Sequence, residues 1–434
     1  MKRFTVASDP GSEDLTQRVT HYYDSNPFDG SFTQNGAGRR TATVYYMRRS
    51  GYSPPNPLNG QIIEMYSYST GGLLTKKRFT AVLQNPVDTY NNVSNYTDVE
   101  YTYDSEGRRT QMVYPKGRYR ATGSQGAPWM QDASRTLNYT YDSMGRAHTM
   151  AEPSPGPSPG SSWLSGVTYN AASQPANFSG LGETRTYNIL GQLTQITAGS
   201  SFSERYVYSA TARTGPRRSP APLCARTGTK PNGRITGKKN LLSGEEVQYT
   251  YDSLQRLQSA ITVTDPLVTQ WGQNFTYDGW GNLLGASVAK GSAPTFSVTV
   301  NGLTNRITGQ SYDANGNQAV NGSSYDVENR LKGAGTYPNY YQYTYDGSNK
   351  RVAKSKPLTS DEDGNVNGEE LLMFYGAGGE RLAEFTMSIV KFGTPSQWYL
   401  RFTEKKTLVW FGSELGSDCG PLHNGGASVT APPK

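Results

Sequence analysis

The chain has 434 residues, a formal net charge of +7, and only 34% hydrophobic residues even with its 31 tyrosines counted in. A one-core globule of this length is ordinarily greasier, so the composition points instead to a thin wall with much wet surface, where a tyrosine ring packs and its hydroxyl reaches water. No run of eighteen apolar residues exists, which excludes a transmembrane helix, and the opening MKRFTVASDPGSED has no apolar stretch of signal-peptide length.

Residues 1–94 read as divergent hairpin repeats, with Tyr68-Ser69 leading to Gly72-Leu73 as one degenerate copy. The pattern sharpens over 95–210. Residues 101–108 are YTYDSEGR and residues 139–146 are YTYDSMGR. Weaker copies follow at Tyr169-Asn170 and at Tyr187-Asn188, the latter with Gly191 and Gln192 behind it. Residues 211–231, TARTGPRRSPAPLCARTGTKP, interrupt the run with five basic residues, four prolines and no acid. Proline cannot donate to a sheet ladder, so this insert reads as a disordered exposed loop rather than a strand. It supplies most of the net charge, which makes the basic pI a poor argument for nucleic-acid binding. Repeats resume over 232–412, beginning with YTYDSLQR at 249–256. Residues 413–434 are Gly-rich, lack alternation, and read as a disordered tail.

Chance would place about one Tyr-Asp pair in a chain of this composition. There are eight, with Asp at 24, 104, 142, 252, 278, 313, 326 and 346. In Tyr249-Thr250-Tyr251 the two rings share one strand face, and Asp is a good first residue of a type I turn. Three residues after the Asp stand Gly107, Gly145, Gln255, Gly281, Gly316, Asn329 and Asn349, mostly the residue types that enter φ > 0 at least cost. The next position holds Arg108, Arg146, Arg256, Asn282, Asn317, Arg330 or Lys350. The phrase therefore predicts a strand, a tight turn closed by a left-handed residue, and a returning strand. The predicted fold class is all-β, made of repeated antiparallel β-hairpins. The residues that carry the motif are Tyr103, Asp104, Gly107, Arg108, Tyr141, Asp142, Gly145, Arg146, Tyr251, Asp252, Arg256, Tyr277, Asp278, Gly281, Tyr312, Asp313, Gly316, Tyr325, Asp326, Arg330, Tyr345 and Asp346.

This phrase resembles the YD repeat of RHS proteins, found also in teneurins and in shell components of bacterial toxin complexes. The resemblance covers residues 95–385. It implies a spiral of hairpins forming a hollow shell, here partial and open. In bacterial members the shell typically holds a C-terminal toxin or effector, and a core after the repeats often cuts itself near a DPxGL-like phrase. No such phrase occurs here; residues 371–412 resemble only the lead-in to that core. The chain thus reads as a piece of a longer secreted or cell-surface protein, with the compartment itself undetermined.

Little catalytic chemistry is legible. His21, His148 and His423 stand in no metal-ligand spacing, and Cys224 and Cys419 lie in the two irregular segments. Residues 361–370, DEDGNVNGEE, start like a calcium loop but have Val366 at the sixth position and Leu372 at the twelfth. Hydrolase and nucleotide-binding phrases are missing. The expectation is a non-enzymatic shell segment, with no cofactor and no metal, that encloses or presents another polypeptide. Its partners are polypeptide cargo or the rest of a shell, with no nucleic acid and no membrane span. The alternatives are a carbohydrate-binding surface protein and a degraded fragment without independent function.

Overall fold

The computed structural model describes residues 18–47, 60–83, 93–115, 118–120, 129–131, 135–153, 162–208, 233–263, 270–336, 339–360, 366–392 and 397–406. The expected insert at 211–231, the tail at 413–434, both cysteines and His423 lie outside these residues, as does the first half of the calcium-like stretch.

Among the described residues the fold is all-β, and every paired strand is antiparallel to its neighbour in sequence or nearly so. The chain divides into two compact units. One gathers residues 1–139, 152–161 and 311–434; the other holds 140–151 and 162–310. The sequence segments are linear stretches, whereas the first unit joins regions far apart in the chain.

In the first unit, strands Val19–Tyr23, Arg40–Met47, Gly60–Tyr68, Leu74–Leu83, Val93–Tyr103 and Arg109–Val113 follow one another as a meander. A second meander runs through Ser324–Tyr325, Leu331–Ala334, Tyr341–Tyr345, Arg351–Ser360, Val366–Tyr375, Arg381–Phe392 and Gln397–Lys406. Alternation along the strands gives each sheet two faces. On one face Val44, Ile63 and Met65 bury against Phe32, which is carried by the long connection between the first two strands. On the other face Phe79 meets Phe374 edge-on, with centroids 5.6 Å apart. Residues nearly three hundred positions apart thus share a core.

In the second unit eleven strands form one sheet in strict sequence order, from Gly166–Tyr169 to Phe296–Ser297. Its interior is lean: Val167, Phe178, Val247, Ala260 and Ala286 are among its few buried apolar side chains. Exposed apolar residues are correspondingly common, including Ile189, Leu254, Trp280 and Leu303. This is the low apolar content of the sequence seen as structure. A hairpin ribbon has less interior to fill than a compact core.

Candidate functional site

Each repeat turn is built the same way. In the turn after Tyr251, the Asp252 N–H donates to the Arg256 carbonyl (2.9 Å) and the Gln255 N–H donates to the Asp252 carbonyl (2.9 Å). The Asp252 carboxylate accepts the Arg256 N–H through Oδ1 at 2.8 Å and the Arg256 guanidinium through Oδ2 at 2.7 Å. The same backbone pair closes the turns at Asp104, Asp142, Asp278, Asp313, Asp326 and Asp346. The residue three past the Asp is left-handed throughout, with φ of 80° at Gly107, 76° at Gly145, 73° at Gln255, 90° at Gly281, 89° at Gly316 and 59° at Asn329. Arg108, Arg146 and Arg330 make the same ion pair with their Asp at 2.7 to 2.8 Å. Asn282 and Asn317 replace it with an amide hydrogen bond. These contacts hold Asp104, Asp142, Asp252, Asp278 and Asp313 below the usual carboxylate range.

Two further features were not legible in the phrase. The first is a register shift at the motif tyrosine: Thr250 pairs with Ser259 but Tyr251 with Leu257, leaving one residue extra on the returning strand. The same shift recurs at Tyr103, Tyr277, Tyr325 and Tyr345, and such bulges add local twist. The second is a ladder between repeats. The Tyr277 hydroxyl donates to the Leu257 carbonyl at the start of the preceding returning strand (2.8 Å). Tyr103, Tyr251, Tyr325, Tyr345 and Tyr375 donate to the carbonyls of Leu74, Ile235, Gln318, Leu331 and Arg351 in the same way. The motif arginine reaches forward: Arg256 donates to the Asp278 carbonyl (2.9 Å) and lies 4.7 Å from the Tyr277 ring centre. Arg330 does the same with Asp346 and Tyr345, and Arg146 stacks on Tyr169.

The structure also finds copies hidden in the sequence. Tyr375-Gly376 through Gly379-Glu380 closes the same turn with glycine in place of Asp. At Asp24 the turn is opened by a long insertion: the Asp24 N–H donates to the Arg39 carbonyl and its carboxylate accepts from Gly38 (2.7 Å). Gly38-Arg39 is thus the displaced second half of the phrase.

One site departs from this pattern. In the first unit a cavity of about 380 Å³ is lined by His21, Arg40, Tyr45, Glu64, Tyr66, Lys77, Asp346 and Lys350, among others. Glu64 lies diagonally across from Tyr45 and Lys77 on neighbouring strands, the geometry of cross-strand pairs. It accepts from Lys77 Nζ (2.8 Å), the Tyr66 hydroxyl (2.6 Å) and the Tyr45 hydroxyl (3.1 Å), and all four residues are buried. Burial alone would raise the Glu64 carboxyl, but the Lys77 charge and these hydrogen bonds outweigh it and hold it low. Lys77 also donates to the Tyr375 carbonyl (2.8 Å). Asp346 belongs to a repeat turn, yet its carboxyl is raised, first by burial and also by the Glu64 charge. Its Oδ1 accepts the N–H groups of Ser348 and Lys350, both at 2.8 Å. The Lys350 ammonium donates instead to the Gly379 carbonyl. Asp346 was predictable as a turn residue; that it opens into a cavity was not, because Glu64, Arg40 and Lys77 carry no motif.

No protein-family model matches the chain, and no curated protein matches it by sequence. Solved structures do. A crystal structure of TcdB2–TccC3–Cdc42 aligns with a TM-score of 0.56 at 14% identity over 90% of this chain. The pore form of the Photorhabdus luminescens Tc holotoxin aligns with a TM-score of 0.57 at 14% identity over 94% of it. TcdB2–TccC3 without its hypervariable C-terminal region gives 0.52 at 13% over 90%. The chain shares their fold. It spans only 20% to 21% of the length of those solved chains. The likeness reaches the same fold as the repeat resemblance by an independent route, since it rests on backbone shape at an identity too low for sequence to carry it.

Proposed function

We propose that the chain is a non-enzymatic segment of hairpin shell wall that encloses or presents another polypeptide. The observation that supports this reading is the ladder between repeats. Motif Tyr and Arg side chains tie each hairpin to the next, as at Tyr277 and Arg256, while the Asp252 carboxylate holds Arg256 from within its own turn. A repeated carboxylate engaged on three sides is turn chemistry, not a set of acids poised for catalysis. The likeness to Tc toxin structures, TcdB2–TccC3–Cdc42 among them, favours a polypeptide partner over a small substrate. A secreted or surface setting and a toxin or effector cargo follow from the repeat resemblance and belong to the same proposal.

The test is protease protection. The chain is co-expressed with the polypeptide encoded immediately downstream of it, and the complex is challenged with a protease that degrades the downstream polypeptide alone. Protection that requires the hairpin chain supports the wall role. Degradation at the same rate with and without the chain overturns it.

A further inference from the structure

We propose that the cavity of the first unit is a binding site for a carboxylate group, with Arg40 as its recognition residue and Lys350 as a supporting cation. The inference goes beyond the wall role and stands on the cavity alone.

The hydrogen-bonding inventory decides the ligand class. Glu64 is already matched by Lys77, Tyr66 and Tyr45, so it offers an incoming group no free charge. Tyr68 donates its hydroxyl to the Arg40 carbonyl, and Tyr375 donates to the Arg351 carbonyl. Apart from Asp346 Oδ2, the unmatched charged capacity is on the donor side. The Arg40 guanidinium lies 4.8 Å from the Tyr66 ring centre and, among the described residues, makes no ion pair and donates no hydrogen bond. A guanidinium carries five N–H donors in a planar fork that matches a carboxylate. The Lys350 ammonium uses one of its protons on the Gly379 carbonyl and, among the described residues, makes no direct ion pair, although its charge acts on Asp346. With Glu64 and Lys77 cancelling, the charged groups left facing the cavity are Arg40, Lys350 and Asp346, a balance of one positive charge.

Asp346 sets the limit on the charge of the ligand. Its Oδ2 takes no side chain from the fourth residue on, unlike Asp104, Asp142, Asp252 and Asp326. A doubly charged phosphate would face this carboxyl at a larger cost than a singly charged carboxylate. The volume, about 380 Å³, admits an acidic side chain with its neighbouring backbone or a small free acid.

Isothermal titration tests this with four probes on the full chain: acetyl-Gly-Glu-Gly-amide, its Gln counterpart, propionate and inorganic phosphate, with methyl glucoside as a neutral control. The Glu peptide is expected to bind at least about tenfold more tightly than the Gln peptide. Propionate binding more tightly than the Glu peptide assigns the site to a free acid and still supports a carboxylate ligand. Arg40→Met should lose at least about tenfold in affinity, and Arg40→Lys should retain part of it. Ser348→Phe, placed at an exposed turn position that lines the cavity, should block binding while far-UV circular dichroism stays unchanged. Equal affinity for Glu and Gln peptides, with no tighter binding of propionate, overturns the proposal. So does binding that survives both Arg40→Met and Ser348→Phe, or tighter binding of phosphate or methyl glucoside than of any carboxylate.

Discussion

At the scale of single residues, the left-handed position of the repeat turn is where side-chain choice matters most. Gly145 sits at φ 76° and Gln255, its counterpart, at φ 73°. A β-branched residue is poorly suited to that region, so Gly145→Val should destabilise the chain by about 1 to 3 kcal/mol. Gln255→Gly should be neutral or stabilising by up to about 1 kcal/mol, because the strain it relieves offsets the backbone entropy that glycine adds. Urea denaturation of the two variants measures both, and a harmless Gly145→Val would contradict the turn geometry. The Asp position carries a pH signature of opposite sign in different copies. Asp252 is held low by the Arg256 N–H and guanidinium, so its contribution is present above the ordinary carboxylate range and is lost as pH falls through its lowered value. Asp346 is raised from 3.8 by burial and by Glu64. Between 3.8 and its raised value the folded chain keeps a proton that the unfolded chain has released, so stability falls as pH rises through that window. Asn is tolerated in this turn, as Asn170 and Asn188 show by making the same backbone hydrogen bonds. Relative to the parent chain, Asp346→Asn should therefore gain stability as pH rises through the Asp346 window. Asp252→Asn should lose it as pH rises through the Asp252 window. Denaturation midpoints across the acid range read the two slopes, and slopes of the same sign would refute the assignment.

At the scale of hairpins, the repeat is a unit that completes itself only against its neighbour. The Tyr277 hydroxyl bonds the preceding hairpin, and Arg256 reaches from that hairpin to the Tyr277 ring and the Asp278 carbonyl. Tyr277→Phe should cost about 0.5 to 1.5 kcal/mol for the hydrogen bond. A double-mutant cycle between Arg256→Ala and Tyr277→Phe leaves the ring stack in place in one arm. A cycle with Tyr277→Leu removes it, and that cycle should show a coupling of about 0.5 to 1 kcal/mol. A coupling indistinguishable from zero would mean that the two contacts are independent surface features. The strand, turn and return were legible because Tyr, Thr, Asp and Gly each have a strong local preference. The ladder was not, because it depends on which hairpin lies next door. The copies at Gly376 and at Asp24–Arg39 were hidden for a related reason. One replaces the diagnostic Asp by glycine, and the other separates the two halves of the phrase by an inserted connection.

At the scale of the molecule, the first unit is joined by a buried charge. Lys77 pairs with Glu64 on the adjacent strand and donates to Tyr375, 298 residues further on. Removing one partner leaves the other charge buried without compensation, so Lys77→Met should cost about 3 to 5 kcal/mol in urea denaturation. A cost below about 1 kcal/mol would mean that Glu64 finds another partner or takes up a proton at little expense. The sequence alone determined the all-β class, the hairpin repeat, the turn residues and their left-handed positions. Each of these is set by preferences that act within a few residues of one another. The tertiary structure alone decided that residues 1–139 and 311–434 share a unit, and that Arg40, Glu64, Lys77 and Asp346 line one cavity. It also decided that one turn Asp differs in environment from its copies. Those outcomes depend on which distant strands meet, and burial, the origin of the raised Asp346 carboxyl, is a property of that meeting rather than of the turn that carries it.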